Sequence, residues 1–455
     1  MDAVTFGTDG WRDTVDAFTD DRVRAVGQAV ASYLSDESNE GAVVVGYDAR
    51  ESSPAIADEL IEVLRASGRD VLVPERDVPT PLVAWAIVDR DLAGGLMVTA
   101  SHNPPEYNGI KFLPADGAPA LPRVTDAIES RLAPPEPRPR TEWGAEHEVD
   151  LLESHARHAL DLVDADLSGL TVAYDAMHGS GRGVTDALLE RAGATVNRLR
   201  CTSDPTFGGN PPEPSAAHLD DLVAAVAGDA DIGIANDGDA DRVAVVTANG
   251  VLDPNLFFAA LYDHLLEHDT GPAVRTVSTT FLIDRIAEAH GESVYETPVG
   301  FKWVAAAMAN HDALVGGEES GGFTVRGHVR EKDGVLMGLL AAAIASEDPF
   351  EDRVDRLLAE YGEVHQSRVS VDCPDAAKER AVATIGDALP DDVAGVAVDR
   401  VNDADGFKVL LVDGTWLLVR PSGTEPKLRI YAEAATEARV ETLLAAGRGI
   451  VEPLV

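Results

Sequence analysis

The chain has 455 residues, 45% of them hydrophobic, which is enough apolar side chain for about three domains and too much for a chain disordered throughout. Its 37 Lys and Arg residues stand against 79 Asp and Glu residues, and the net charge of −42 argues against nucleic acid or an anionic membrane as a partner. No apolar run reaches the roughly 18 residues of a membrane span, and the N-terminal residues lack the apolar segment of a signal peptide, so we expect a cytoplasmic protein.

The acidic residues are spread along the whole chain and are not gathered into a tail. This distribution favours the solvated acidic surface of a halophilic protein over an acidic face that binds a basic partner. The two cysteines, Cys201 and Cys373, are far apart in sequence, which excludes a zinc cluster of cysteines and gives no support for a disulfide framework. The chain has only six lysines, so the position of each one is informative.

In chain order, short apolar runs alternate with helical patterns, which is the rhythm of βαβ units and predicts an α/β fold with mixed sheets. A proline-rich stretch at 132–143 interrupts the rhythm, because four prolines in six residues cannot continue a helix or a central strand. We therefore predict a first α/β domain at 1–145. Two further α/β domains are predicted at 146–250 and 251–365, and a smaller α+β domain at 366–455.

Each of the first three domains contains a strand that ends in a polar or glycine-rich loop, with the sequences VTASHN, IANDGDADR and VGGEESGG. Ligands of open α/β sheets bind beyond the carboxyl ends of the strands. Three such ends with different chemistry predict a cleft that is shared among the three domains.

The strongest local signal is DGDADR, in which Asp237, Asp239 and Asp241 alternate along a loop that leaves an apolar strand. Three neighbouring carboxylates repel one another, and a loop can wrap them around a hard cation. An EF-hand is excluded because Arg242 replaces its glycine and Ala248 replaces its last glutamate. The motif therefore favours Mg²⁺ with open coordination positions over a closed Ca²⁺ site or a solvated acidic turn.

A second loop, TASHNPPEYNGIKF, presents Ser101 and His102 at the end of an apolar strand. A serine in this position can act as a nucleophile when a neighbouring base or metal activates it. The GxSxG elbow of hydrolases is absent, and taken alone both residues suit a structural turn as well as a catalytic site.

Three further motifs are weaker on their own. RPSGTEPKLR, residues 420–429, combines hydroxyls, backbone N–H groups and cationic side chains that suit a phosphate, although a hairpin turn would use the same residues. GGEESGG, residues 316–322, could bring a carboxylate and a serine to sugar hydroxyls, or it could be a flexible acidic turn. FGTDGWR, residues 6–12, is typical of a turn before the first strand or helix.

Four of the six lysines lie in or beside these loops, namely Lys111, Lys302, Lys332 and Lys427. Carboxylates that suit a metal, together with a basic loop that suits a phosphate, predict a phosphorylated substrate. The motifs FGTDGWR, TASHNPPEYNGIK, DGDADR, GEESGG and RPSGTEP occur in the order found in the α-D-phosphohexomutases. Over positions 6 to 429 the sequence resembles a phosphoglucomutase/phosphomannomutase of that superfamily.

The resemblance implies four domains around a central cleft, three of them with one α/β topology, and a 1,6 phosphoryl shift on a hexose phosphate. Ser101 matches the phosphoserine, and an oxygen of its phosphate would complete a Mg²⁺ site. The matching metal ligands are Asp237, Asp239 and Asp241. The residues that match the sugar contacts are Glu318 and Ser320. Those that match the phosphate loop are Arg420, Ser422, Gly423 and Thr424. Those that match the positive groups near the phosphoryl group or the substrate are Arg12, Lys111, Arg242 and Lys332. Lys302 and Arg429 are added as candidate substrate contacts.

In the implied reaction, phospho-Ser101 gives its phosphoryl group to a hexose 1-phosphate, the 1,6-bisphosphate turns over in the cleft, and a second transfer restores phospho-Ser101. Glucose 1,6-bisphosphate is the expected activator. Lys111 or His102 could accept the proton of the attacking hydroxyl, with Lys111 slightly preferred. Some members carry a histidine after GExSG, where this chain has Gly322, so the acid–base role of that histidine does not transfer. The segment GHVREKDG instead resembles members that use its lysine, here Lys332, with His328 as a weaker alternative.

The motifs leave the preferred sugar open. RPSGTEPK and VGFKW resemble glucose-preferring members more than strictly mannose-specific ones, but RPSGTEP also occurs in phosphoglucosamine mutases. A Mg²⁺-dependent sugar-phosphate phosphatase and a non-catalytic sugar-phosphate binding protein are the alternatives from other functional classes. Both a monomer and a homodimer are compatible with the sequence.

Overall fold

The computed structural model of the protein describes residues 4–7, 10–423 and 425–455. Over these residues the chain forms four β-sheets with associated helices. Among the described helices, none combines the length and the apolar character that crossing a membrane requires. Short 3₁₀ helices occupy Val15–Ala17, Arg140–Glu142, Phe207–Gly209, Ala216–His218 and Glu452–Leu454.

The first sheet has the strand order β1-β5-β4-β2-β3-β6, with β5 antiparallel to β4 and with β4, β2, β3 and β6 parallel. Its strands are β1 (Trp11–Thr14), β2 (Val43–Tyr47), β3 (Val71–Pro74), β4 (Gly94–Val98), β5 (Tyr107–Pro114) and β6 (Glu146–Val149). Its helices are α1 (Asp20–Asp36), α2 (Ser53–Ala66), α3 (Thr80–Asp89) and α4 (Pro122–Glu129). The proline-rich stretch leads into the edge strand β6, so this sheet extends past the boundary predicted at residue 145.

The second sheet has the order β11-β10-β9-β7-β8, with β8, β7 and β9 parallel and β10 antiparallel to β9. Its strands are β7 (Thr171–Asp175), β8 (Thr195–Leu199), β9 (Ile232–Asn236), β10 (Val243–Thr247) and β11 (Gly250–Val251). Its helices are α5 (Leu152–Val163), α6 (Thr185–Arg191) and α7 (Asp220–Gly228). Every residue of β9 is buried, which is the burial expected of a central strand covered on both faces.

The third sheet has the order β13-β12-β14-β15, with β13, β12 and β14 parallel and β15 antiparallel to β14. Its strands are β12 (Ala273–Thr276), β13 (Val294–Thr297), β14 (Val315–Gly317) and β15 (Phe323–Val325). Its helices are α8 (Pro254–Leu266), α9 (Leu282–His290), α10 (Phe301–His311), α11 (Gly334–Glu347) and α12 (Phe350–Tyr361). Asp333 caps α11 by accepting a hydrogen bond from the Leu336 N–H at 2.7 Å, and α11 is buried from Gly334 to Ile344.

The fourth sheet is antiparallel and has the order β16-β21-β20-β19-β18-β17. Its strands are β16 (His365–Asp372), β17 (Asp392–Val393), β18 (Val396–Asn402), β19 (Phe407–Leu411), β20 (Trp416–Pro421) and β21 (Lys427–Ala434). Its helices are α13 (Asp375–Ala388) and α14 (Glu437–Val451). The antiparallel sheet with two helices is the α+β unit that the last ninety residues predict.

The first three sheets share one topology. The strand orders β5-β4-β2-β3, β10-β9-β7-β8 and β15-β14-β12-β13 are equivalent. In each sheet a parallel strand, β4, β9 or β14, is followed in the chain by an antiparallel strand that pairs with it. The three polar loops of the sequence lie at these equivalent positions, after β4, β9 and β14. The predicted fold class, three similar α/β domains followed by a smaller α+β domain, is therefore confirmed.

One apolar core connects the first three domains. It includes Leu82 of α3, Ile234 of β9 and Leu336 of α11, each fully buried. The C-terminal domain has a core of its own, built around β16, β20, β21 and α14. The shared core fixes the loops that follow β4 and β9 and the segment before α11 in one region, and the candidate site lies there.

Candidate active site

Ser101 lies in the loop between β4 and β5, is 1% exposed, and has a left-handed backbone with φ of 53°. A left-handed φ costs a non-glycine residue on the order of 1–3 kcal/mol, so contacts around the loop must offset that cost. The Ser101 N–H donates to Thr99 Oγ1 at 2.8 Å, and the Thr99 hydroxyl donates to Asp48 Oδ2 at 2.7 Å. The loop is thus tied to the segment that follows β2.

Arg50 is the second support of this loop and is itself 1% exposed. Its guanidinium donates to the main-chain carbonyls of Ser101, Asn103, Pro104 and Tyr107, at distances between 2.6 and 3.1 Å. Its Nε donates to Asp48 Oδ2 at 3.0 Å, and its guanidinium carbon lies 5.1 Å from the centre of the Phe207 ring. One buried guanidinium therefore holds four carbonyls of the loop that carries Ser101.

We predict that Arg50→Lys lowers kcat about 100-fold, because a lysine keeps the charge but cannot hold four carbonyls, and small displacements of a reacting group have effects of this size. The variant should also melt at a lower temperature, since the loop loses its main support. Steady-state kinetics and thermal melting measure both quantities. The exposed Arg191, which pairs with Glu153, is the matched control, and Arg191→Lys should leave both unchanged. A wild-type kcat in Arg50→Lys would contradict the prediction.

Asp237, Asp239 and Asp241 follow β9 and are each 0% exposed, with carboxylate oxygens within 4.8 Å of one another. Asp239 Oδ1 and Asp241 Oδ1 are buried and accept no hydrogen bond. Burial, followed by the charges of Asp239 and Asp241, raises the pKa of Asp237 well above its ordinary value. Burying a carboxylate oxygen that accepts no hydrogen bond is costly. A divalent cation prefers carboxylate oxygens as ligands, and the two unpaired oxygens of this cluster suit such an ion.

The structure brings Ser101 to this carboxylate cluster across the boundary between the first two domains. The Ser101 hydroxyl donates to Asp237 Oδ2 at 2.6 Å, although the two residues are 136 positions apart in sequence. Gly238 permits the approach, because a Cβ there would lie 2.6 Å from the Ser101 carbonyl oxygen. At the start of α3, Thr80 adds its hydroxyl to Asp239 Oδ2 at 2.6 Å and its N–H to the Asp239 carbonyl at 2.9 Å.

Cationic side chains from three domains surround the same carboxylates. Lys111 Nζ, from β5, lies 3.3 Å from Asp239 Oδ2 and 3.2 Å from Asp241 Oδ2. Lys332 Nζ, from the segment before α11, lies 2.9 Å from Asp241 Oδ2, and Arg242 Nε lies 3.8 Å from Asp241 Oδ1. Burial opposes ionisation of Asp241, but Lys332 and Lys111 hold its pKa well below the ordinary value. The site thus combines anionic ligands with cations that can stabilise a transferring phosphoryl group.

His102, which follows Ser101 in the chain, and Arg12 of β1 lie beside the same group of charges. The His102 Nδ1 is 3.3 Å from Ser101 Oγ, and Arg12 Nη1 is 3.5 Å from Asn103 Oδ1. Arg242, then burial and Arg12, lower the pKa of His102 to about 2. A neutral imidazole with so low a pKa is a weak base, which favours the lysines over His102 as the proton acceptor.

Gly322 leaves the space that the Lys332 side chain occupies. A Cβ at position 322 would lie 2.3 Å from Lys332 Cδ and 2.8 Å from Lys332 Cγ. A histidine at 322 and a lysine in the position of Lys332 are therefore mutually exclusive in this arrangement. Gly322, where some members carry a histidine, therefore makes room for the Lys332 side chain.

We expect Gly322→Ala to lower kcat about 100-fold, because the added methyl group displaces the Lys332 side chain from Asp241. The backbone at 322 lies outside the left-handed region, so the effect is steric and does not come from backbone strain. The measurement is kcat with a thermal melt to verify folding. Gly449→Ala is the control, since a Cβ there has no atom within 4 Å, and its activity should be that of the wild type. Normal turnover by Gly322→Ala would show that Lys332 need not occupy this position.

The sugar-loop candidates differ in burial. Glu318 is 7% exposed, its Oε1 accepts a hydrogen bond from the Gly300 N–H at 2.9 Å, and burial raises its pKa. Ser320 is exposed, and Lys302 is half-buried in the first turn of α10. The Gly321 carbonyl accepts a hydrogen bond from the Val243 N–H at 3.0 Å, which joins this loop to the aspartate loop.

The candidate phosphate loop forms a second group of residues in the C-terminal domain. Arg420 Nε donates to Asp405 Oδ2 at 2.9 Å, and the buried Ser422 donates its N–H to the Lys427 carbonyl at 2.9 Å. Arg429 pairs with Glu425 at 2.9 Å, Gly423 is exposed, and Thr424 lies outside the described residues. Asp405 Oδ2 also accepts the Val299 N–H at 3.0 Å, next to Gly300. This loop is therefore joined to the third domain and is separate from the group around Ser101.

Four residues that support the site belong to none of the motifs singled out in the sequence: Asp48, Arg50, Thr80 and Asp405. An available signal was GYDAR, in which Asp48 and Arg50 stand three and five residues after the end of the apolar run VVV. Thr80 and Asp405 have no comparable signal, because no local motif links them to their partners. Thr80 pairs with Asp239 of the second domain, and Asp405 pairs with Arg420 and with Val299 of the third domain.

The four domain models of the phosphoglucomutase/phosphomannomutase family match this chain in order. Alpha/beta/alpha domain I matches residues 3–138, domain II matches 152–250, domain III matches 253–361, and the C-terminal domain matches 369–448. Together these models cover well over half of the chain. They follow the same order as the four sheets.

Several curated proteins are similar over nearly their whole length. A protein of Methanopyrus kandleri named "Probable phosphoglucosamine mutase" is 35% identical, with 96% of this chain and 95% of that protein aligned. Thermococcus kodakarensis proteins named "Phosphoglucomutase/phosphomannomutase" and "Phosphopentomutase" are each 32% identical, covering 98% and 99% of this chain and 98% of each protein. Among solved structures, a "putative phosphomannomutase" from Thermus thermophilus has a TM-score of 0.85 at 32% identity and covers 99% of both chains.

Proposed function

Because the chain belongs to the phosphoglucomutase/phosphomannomutase family, whose members are isomerase-class phosphomutases, we propose that it interconverts hexose 1-phosphate and hexose 6-phosphate through phospho-Ser101 and a 1,6-bisphosphate. The observation that carries this proposal is the 2.6 Å contact between Ser101 Oγ and Asp237 Oδ2. A nucleophilic hydroxyl beside a buried carboxylate cluster and three cationic side chains is an arrangement suited to phosphoryl transfer.

Asp237, Asp239 and Asp241 are the proposed ligands of Mg²⁺, together with the oxygen on Ser101. Bound there, Mg²⁺ would supply positive charge beside the phosphoryl group. Lys111, Lys332 and Arg242 lie next to the same carboxylates, so they are assigned to the phosphoryl oxygens. Arg12, which contacts Asn103 of the Ser101 loop, is assigned to the same group of cations.

The first transfer breaks the P–O bond to Ser101 and forms a P–O bond to the sugar hydroxyl, which loses its proton. The second transfer breaks the P–O bond at the other end of the bisphosphate, restores the P–O bond to Ser101, and leaves a sugar oxygen that takes up a proton. We assign the proton of the attacking hydroxyl to Lys111 or Lys332, one of which would have to be a neutral amine at this step while the other remains the cation beside the phosphoryl group. The pKa of about 2 makes His102 the weaker base. Glu318, Ser320 and Lys302 are proposed to hold the sugar. Arg420, Ser422, Gly423, Thr424 and Arg429 are proposed to hold the phosphate that does not react.

Glucose and mannose phosphates are the proposed substrates, with glucose 1,6-bisphosphate as activator. The names of the relatives support a second candidate, glucosamine 1-phosphate, and one relative named a phosphopentomutase makes a pentose phosphate a third compound to test. A comparison of kcat/KM on the 1-phosphates of glucose, mannose, glucosamine and ribose, each with its bisphosphate activator, decides among them. The proposal is wrong about the sugar if the glucosamine or ribose compound gives the highest value.

A Mg²⁺-dependent phosphatase would use similar residues, and product analysis separates the two activities. A mutase converts glucose 1-phosphate to glucose 6-phosphate, whereas a phosphatase releases inorganic phosphate. The burial of Ser101 and of all three aspartates favours transfer over hydrolysis, because water is kept from the phosphoserine. Release of phosphate as the main product would overturn the mutase proposal.

We also propose that the acidic surface is an adaptation to salt. Repulsion within a chain of net charge −42 weakens as the Debye length falls to about 3 Å at 1 M salt. The melting temperature and kcat should therefore both rise as KCl is raised from about 0.1 M to above about 1 M. Full stability and activity in dilute buffer would contradict a halophilic adaptation.

A further inference from the structure

A cluster of polar and aromatic side chains, three of them buried and two half-buried, joins the first three domains and includes the residue that follows Lys332. Its residues are Trp85 of α3, His155 and His158 of α5, and His328 and Asp333 of the segment that leads into α11. Asp333 Oδ2 accepts hydrogen bonds from His155 Nε2 at 2.6 Å and His328 Nε2 at 2.8 Å. His155 is 1% exposed and Asp333 is 0% exposed, so these bonds are shielded from water. We refer to these five residues as the histidine cluster.

The outer half of the histidine cluster fixes the orientation of His328. His328 Nδ1 lies 3.1 Å from His158 Nε2, and the Trp85 ring stacks on His158 with centroids 3.8 Å apart. Burial lowers the pKa of His158 to about 4 and lowers that of His328, so both rings are neutral at working pH. His328 therefore donates from Nε2 to Asp333 and accepts at Nδ1 from His158, and its two nitrogens are both engaged.

Asp333 transmits this orientation to the catalytic region through the main chain. It directly follows Lys332, its N–H donates to the Phe323 carbonyl at 3.0 Å, and the next N–H, of Gly334, donates to the Ala240 carbonyl at 3.1 Å. The side chain of Lys332 extends from this segment to Asp241 Oδ2 at 2.9 Å. A shift of Asp333 would therefore move the ammonium group of Lys332 relative to the aspartate loop.

We propose that His155 and His328 are positioning residues for Lys332, which they hold in place through their shared hydrogen bonds to Asp333. This inference rests on the proposed role of Lys332 in phosphoryl transfer. Because the histidines come from different domains, Lys332 reaches this position only when the second and third domains are docked. The competing explanation is that the histidine cluster merely stabilises the domain interface.

A double-mutant cycle in kcat distinguishes the two explanations. His328→Phe keeps an aromatic ring against Trp85 and His158 but removes both hydrogen bonds, whereas His328→Gln keeps an N–H near the position of Nε2. Positioning predicts that His328→Phe lowers kcat about 10- to 100-fold with a smaller change in KM, and that His328→Gln recovers most of the loss. In a Lys332→Met background, His328→Phe should lower kcat no further, because its effect acts through the lysine.

The alternative outcomes are separable. If His328→Phe lowers the melting temperature but keeps the wild-type kcat, or if its loss adds fully to that of Lys332→Met, the positioning inference is wrong. If Lys332→Met itself keeps the wild-type kcat, the proposed role of Lys332 fails instead. Should His328→Phe not fold, the same cycle with His155→Gln and His155→Phe, measured well below the melting temperature, gives the decision.

Discussion

Replacing Ser101 with alanine is expected to lower kcat by at least about 10⁴-fold, because removal of a nucleophile leaves only the binding and electrostatic parts of catalysis. The alanine variant has no hydroxyl to carry the phosphoryl group between the two positions of the sugar. Its fold should persist, since the contacts that hold the loop come from the main chain of 101–107 and from Arg50. Conversion of glucose 1-phosphate, followed by a coupled assay for glucose 6-phosphate, measures the loss.

The control for this prediction is Ser67→Ala. Ser67 is the residue that follows α2, and its hydroxyl donates to the carbonyl of Val63 in that helix. This contact does not involve the carboxylates, so the variant should turn over at the wild-type rate. Circular dichroism and thermal melting establish that Ser101→Ala remains folded. A folded Ser101→Ala variant with wild-type turnover would remove the nucleophile assignment.

Replacing Asp237 with asparagine is expected to raise the melting temperature of the metal-free protein and to reduce the stabilisation that Mg²⁺ gives. Without metal, three buried carboxylates repel one another, so neutralising one should raise the melting temperature in EDTA by a few degrees, about what 1 kcal/mol of stabilisation gives. With Mg²⁺, the wild type should gain stability by mass action, and the variant should gain little because it has lost a charged ligand. Activity should fall at least about 1,000-fold, the loss typical of removing a main electrostatic contribution.

Titration with Mg²⁺ during thermal melting tests both directions in one experiment. Asp229→Asn, which changes an exposed aspartate just before β9, is the control and should show the wild-type response to Mg²⁺. If Asp237→Asn responds to Mg²⁺ as strongly as the wild type, the metal lies elsewhere. A lower melting temperature of the variant in EDTA would show that the carboxylates are not in repulsion.

The parts of the site that the sequence could predict are those with a local pattern. The buried strands β4, β9 and β14 are short apolar runs, and each is followed by a polar loop that the sequence analysis singled out. The alternation of Asp237, Asp239 and Asp241 on a loop likewise follows from neighbouring letters. The residues of each pattern lie within about ten positions of one another, so the pattern is visible without knowledge of the tertiary fold.

The parts that the sequence could not predict depend on contacts between distant segments. The sequence places Arg50 shortly after an apolar run, but only the fold shows that its donors are directed at four carbonyls near Ser101. Asp405 likewise belongs to no motif, and only the fold places it between Val299 and Arg420. Periodicity and spacing carry no information on such pairs, because their geometry is set by the tertiary fold within a domain or by contacts between domains.

Gly322 lies between the residues that the sequence could predict and those that it could not. The sequence shows that Gly322 departs from the pattern with a histidine, but it does not give the reason. The structure supplies it, since a Cβ at 322 would lie 2.3 Å from Lys332 Cδ. A change at one motif is thus explained by the side chain of another, ten residues later in the chain.

The central claim is that Ser101 carries the phosphoryl group during turnover, and trapping that group tests the claim most directly. The protein is mixed with hexose 1,6-bisphosphate that carries radiolabelled phosphate, quenched, digested and mapped by mass spectrometry, with and without a chase of unlabelled glucose 1-phosphate. We expect label on the peptide containing Ser101, and its transfer to the sugar during the chase at a rate no slower than kcat. Isomerisation that proceeds at the normal rate while Ser101 stays unlabelled would contradict the account.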